Sequence, residues 1–181
     1  MTNTALNIWD SGTNVSGTIA ESYLETFGLG FTPENVRFSL SQQIEAEGKI
    51  LHLPAVLFAF MMQSGIAHVE RHLLDPDTAE LLFLDQIGDT GRGMWLPCEP
   101  GAELGIAVGI APAIAAAKEN DFPIGAITAI AAAELLDLPE GTHTLHFFEG
   151  TEEKGAFDQA VNIFSARAIS AKTRVLPGLS A

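Results

Sequence analysis

Thr142-His143-Thr144-Leu145-His146-Phe147-Phe148, running into Glu149-Gly150-Thr151-Glu152-Glu153, is the stretch on which the fold turns. Its first seven residues alternate with a period of two and are rich in aromatic and β-branched types, the pattern of a strand with one buried face. Thr151-Glu152-Glu153 then reads as a capped helix start whose acids suit the positive end of the helix dipole. Phe157, Val161, Phe164 and Ala168 follow at intervals of four, three and four, so an amphipathic helix is expected, with Arg167, Lys172 and Arg174 in or near its final turns. A strand followed by a covering helix is the unit from which α/β and α+β domains are assembled.

Neighbouring segments carry short apolar runs and further helical spacings. Glu80 to Asp85 and Leu104 to Ile110 read as buried strands, and Met94 to Leu96 as a short returning one. Pro112 sits early in a short helix ending near Asn120. Pro123 opens another, with Ile124, Ile127, Ile130, Ala131 and Leu135 at helical spacing and Pro139-Glu140-Gly141 closing it. Toward the N-terminus, Pro54 to Leu74 is expected as a long apolar helix, Lys49 to Leu53 as a brief strand, and Val36, Phe38 and Leu40 as a strand by alternation. Ser16 would cap a helix carrying Ile19, Ala20, Tyr23, Leu24 and Phe27, and Ala5 to Trp9 would be a first strand. The expected fold is therefore α/β or α+β: a single globular domain over residues 1–181, with a small mixed sheet covered by helices.

Of the 181 residues 47% are hydrophobic and 18% charged, with a mean hydropathy of +0.22. So apolar a chain leaves little charge for its surface, and a homo-oligomer is expected. The formal charge of −14, from 23 acidic against 9 basic residues, with no cationic stripe, argues against nucleic acid and anionic membrane as partners. The lone cysteine, Cys98, excludes an internal disulfide and points to a reducing, cytoplasmic location. Met1-Thr2-Asn3-Thr4 lacks the basic start of a secretory signal. The greasiest run, Leu51 to Met62, falls short of the roughly 20 apolar residues a membrane span needs.

Three groups of residues invite a chemical reading. In Gln86-Ile87-Gly88-Asp89-Thr90-Gly91-Arg92-Gly93-Met94-Trp95, the glycines let backbone N–H groups approach a ligand, and Arg92 offers a planar fork to a carboxylate or phosphate. Gly88, Asp89, Thr90, Gly91, Arg92 and Gly93 are thus candidate binding residues for a substrate or cofactor that the motif does not identify; the alternative is a plain turn between Leu84 and Trp95. His68 and His72, four apart on the expected long helix, would share a face and hold a metal with Asp75, while Glu70 would point elsewhere; the alternative is a solvated helix end. His143 and His146, on opposite faces of the clear strand, and Glu149 at its end are candidate general acids or bases. Glu134 is a further acid, and Cys98, between Pro97 and Glu99, is a poor nucleophile.

The function expected from these residues is that of a small-molecule enzyme. An anionic substrate or cofactor would sit in the glycine-rich loop, and acid/base chemistry of a lyase, isomerase or hydrolase type would follow. The alternatives are a non-catalytic ligand-binding or interaction subunit of an oligomer, and a metal-dependent enzyme using the helix histidines.

Overall fold

The computed structural model describes residues 4–28, 35–136, 138–149 and 155–175. The chain divides into two compact units, Met1–Thr90 and Gly91–Ala181. Each has its own four-stranded sheet, so the expected α+β class is what the chain adopts.

The first unit is an antiparallel meander of β1 (Val36–Ala46), β2 (Lys49–Met62), β3 (Gly65–Leu74) and β4 (Leu81–Gly88), preceded by α1 (Thr4–Asp10) and α2 (Ile19–Thr26). Ala5 to Trp9 is helical, not extended, because Ala5, Ile8 and Trp9 fall on one helical face. That face packs on Ala55, Leu57, Ala59, Val69 and Leu73 of the sheet. Thr18, not Ser16, caps α2, its hydroxyl accepting from the Ala20 N–H.

Pro54 to Leu74 is the larger correction, for it forms the β2–β3 hairpin and no helix. β2 lies inside the sheet with both faces covered, so Ala55 to Phe60 is fully buried at every position and shows no alternation. Gln63 and Ser64 make the turn, and Gly65, at φ 117, opens β3 after it.

The second unit carries a parallel sheet in the order β6-β5-β7-β8, formed by β5 (Glu103–Val108), β6 (Ile124–Ile127), β7 (Thr144–Glu149) and β8 (Ser170–Val175). The connecting segments carry α3 (Ile110–Ala117), α4 (Ile130–Ala133) and α5 (Asp158–Ala166), as parallel pairing requires. Leu104, Ile106, Leu145 and Phe147 face Phe157 and Phe164, and Phe147 stacks on Phe157 with centroids 4.9 Å apart.

Two expected elements are redrawn here. Ile124 to Ile127 is a fully buried strand that precedes the short α4, so Pro123 opens no helix. The last helix ends at Ala166, which places Lys172 and Arg174 on a strand. The expected helix start at Thr151-Glu152-Glu153 lies outside the described residues. Among the described residues no helix is long and apolar enough to cross a membrane.

Candidate functional site

In the second unit the chemistry-bearing side chains lie on the sheet face opposite Phe147. His146, fully buried, alternates with Phe147 and so points to that face. Its ring stacks on Phe122 with centroids 4.5 Å apart and planes 23° from parallel. The guanidinium carbon of Arg174 lies over the same phenyl ring at 5.4 Å from its centroid. Arg174 Nη1 donates to Asn120 Oδ1 at 2.8 Å, which fixes the fork.

His146 Nε2 lies 2.9 Å from Glu103 Oε2, while its Nδ1 is buried with no hydrogen-bond partner among the described residues. Burial lowers the His146 pKa below the usual imidazole range; the Arg174 and Lys172 charges push the same way, and the Glu103 hydrogen bond opposes them. The neutral ring therefore donates from Nε2 to the carboxylate. Lys172 pairs in register with His146 and Arg174 with Phe148 on the edge strand β8, so both cations belong to one face. Lys172 and Arg174 do not stand out as a site in the sequence because a helix is expected where β8 runs, and Glu103, Asn120 and Phe122 carry no sequence signal of their own.

His143, just before β7, and His146 and Glu149 on it are spread along the chain and do not converge. His143 is exposed just before β7, its backbone N–H donating to the Ala102 carbonyl. Glu149, buried at the carboxyl end of β7, accepts from the Gly155 N–H on both carboxylate oxygens, at 3.1 and 3.0 Å. Glu134 caps α4 and accepts from Gln159. Cys98 is exposed, and partial burial raises its thiol pKa.

The glycine-rich segment is where the chain passes from the first unit to the second, between Thr90 and Gly91. Gly88, at φ 115, ends β4, and a Cβ there would lie 2.5 Å from the Ala67 carbonyl oxygen. The Asp89 N–H donates to that same oxygen at 3.1 Å. Strand packing accounts for this glycine without a ligand.

His68 and His72 lie on β3, not on a helix, and strand periodicity turns Glu70 to their face instead of away from it. His68 stacks on Phe60 with centroids 4.1 Å apart. His72 is bracketed: Tyr23 Oη lies 2.6 Å from Nδ1 and Glu70 Oε1 lies 2.7 Å from Nε2, with Gln86 Nε2 donating to Glu70 Oε2 at 2.8 Å. Burial, helped by the Glu70 charge, raises the Tyr23 pKa, so the phenol keeps its proton and donates to Nδ1, leaving Nε2–H for Glu70. Both ring nitrogens of His72 are thereby used within the protein. Asp75 is not drawn into this network; its Oδ1 accepts from the Asp77 and Thr78 N–H groups, which lowers its pKa. Among the described residues no three His, Cys, Asp or Glu side chains gather where they could hold a metal ion. Buried Arg71 pairs with Asp85 and also donates to Gln42 Oε1 and the Gln43 carbonyl.

Residues 1–87 match a family model described as a domain of unknown function, DUF7146. No curated protein matches the chain. Among solved structures, the Aquifex aeolicus primase, comprising its zinc-binding and RNA polymerase domains, superposes with a TM-score of 0.61 at 10% identity, over 97% of this chain and 55% of that one. The DnaG catalytic core superposes with a TM-score of 0.56 at 15% identity, over 90% of this chain and 66% of that one. The chain spans about half to two thirds of the length of these neighbours, and what it shares with them is the fold.

This likeness overturns the expected small-molecule enzyme with an anion in its glycine-rich loop. It overturns equally the exclusion of nucleic acid as a partner, since both neighbours are primase structures.

Proposed function

We propose that this chain is a nucleic-acid-binding module built on a primase-type core. One observation carries the reading: nearly the whole chain, 97% of it, follows the fold of a primase. The row of stacked rings and paired cations beside β8 supports it, because single strands are held by flat groups on which bases stack and by cations that follow the backbone. A cytoplasmic location fits such a module.

Fluorescence anisotropy of the purified chain with labelled single-stranded and duplex oligonucleotides tests this. Single strands should bind, preferentially over duplex, with log affinity falling linearly in log salt. No binding to either form, even at low ionic strength, would overturn the proposal.

A further inference from the structure

The geometry of the second unit points to where a strand would lie, and we infer that the edge of β8 seats single-stranded nucleic acid, with a base stacked on the Arg174 guanidinium and phosphates on Lys172 and Arg174. This deepens the nucleic-acid reading above and rests on it. Four observations converge. First, His146 stacks on Phe122 with centroids 4.5 Å apart, and the guanidinium carbon of Arg174 lies over the same phenyl ring at 5.4 Å from its centroid, the histidine buried and the arginine half-buried. A guanidinium plane backed by an aromatic ring is a platform on which any base can stack.

Second, Asn120 occupies one N–H group of Arg174, which holds the plane while the fork keeps donors for a phosphate oxygen. Third, Lys172 is exposed and stands two residues from Arg174 on an extended strand, so the two cations share a face roughly 6.6 Å apart along the chain. That repeat suits consecutive phosphates of an extended single strand better than a point ligand. Fourth, β8 is the edge of its sheet, so no further strand among the described residues covers its outer side.

Glu103 is half-exposed and hydrogen-bonds to His146, beside which Lys172 pairs in register, so its carboxylate holds the first ring of the stack. Selectivity for sequence is not expected, since stacking and phosphate contacts read no base edges.

The test uses the full chain with fluorescein-labelled oligothymidine and oligouridine of equal length, titrated by anisotropy across a salt series. Arg174→Ala should weaken binding about tenfold or more. Lys172→Ala should weaken it and reduce the log–log salt slope by about one phosphate. Arg174→Lys keeps the charge but removes the plane, so it should lose affinity at an unchanged slope. Arg167→Ala removes an equal charge from the end of α5 and should bind as the wild type does. Lys172 is exposed, so its variant tests the inference even if an Arg174 variant misfolds. If the wild type binds both oligonucleotides and the Lys172 and Arg174 variants bind equally well, this placement is wrong while the module remains a nucleic-acid binder. If the wild type binds neither, the broader reading falls and takes this one with it.

Discussion

Gly65 and Gly88 form a matched pair for asking what a glycine in the unit-joining segment is for. Their φ angles are alike, at 117° and 115°, so a side chain meets the penalty of a positive φ at both. They differ in surroundings. A Cβ at Gly65 would meet nothing within 4 Å, whereas one at Gly88 would lie 2.5 Å from the Ala67 carbonyl oxygen and 2.9 Å from His68 Cα. Those neighbours are backbone atoms of β3, paired to β4 in register at His68 and Gly88, and cannot rotate aside.

Gly65→Ala should therefore cost the strain of a left-handed backbone, about 1–3 kcal/mol. Gly88→Ala should cost that and a steric term comparable with core overpacking, about 1–3 kcal/mol more. At roughly 2–4 °C per kcal/mol for a chain of this size, the Gly88 variant should melt about 2–12 °C below the Gly65 variant. Differential scanning calorimetry of both variants beside the wild type gives the comparison directly. Equal losses would refute the reasoning, for they would mean that strand packing does not demand glycine at 88 and that its place in Gly88-Asp89-Thr90-Gly91-Arg92-Gly93 needs another explanation.

Two further outcomes follow from the buried histidines. Tyr23→Phe removes the donor to His72 Nδ1 and leaves that nitrogen unsatisfied, so urea unfolding should show a stability loss of about 1–3 kcal/mol with an unchanged m-value; a loss under about 0.5 kcal/mol would mean the bracket around His72 contributes nothing. The lowered pKa of His146 means the unfolded chain binds a proton there more readily than the folded one. Stability from this group should thus fall as pH drops from about 6.5, the ordinary histidine value, through the lower folded pKa, and be unaffected above that window. Histidine NMR titration should find the His146 midpoint below 6.5, and a midpoint at or above the ordinary value would contradict the burial and the flanking cations as its cause.

What the sequence disclosed follows how each element is buried. β1, β4, β5 and β7 were legible because alternation or short apolar runs marked them, and α2 and α3 because their caps or periodicity did. β2 was illegible as a strand because both of its faces are covered, and a run such as Val56-Leu57-Phe58-Ala59-Phe60 has the same composition in a buried helix. The signal that separates the two was present in Gln63-Ser64-Gly65, turn residues between two apolar runs. That one misreading also hid the His72 network. With 3.6 residues per turn Glu70 points away from His68 and His72, and with a period of two it lies between them.

The same arithmetic explains why nucleic acid was excluded too early. A formal charge of −14 describes the whole chain, but a phosphate responds to charges within a Debye length, about 8 Å at physiological salt. What matters is whether cations converge locally, and convergence depends on the secondary structure assigned to them. At the tail of a helix, Lys172 and Arg174 diverge by roughly 200° around the axis and make no joint site. On β8 they face the same way, with Asn120 and Phe122 fixing Arg174 from behind. Six of the nine basic residues fall after Thr90, in the unit that carries this strand. An acidic chain can therefore keep a cationic edge, provided that a strand aligns the charges and an aromatic ring holds one of them flat.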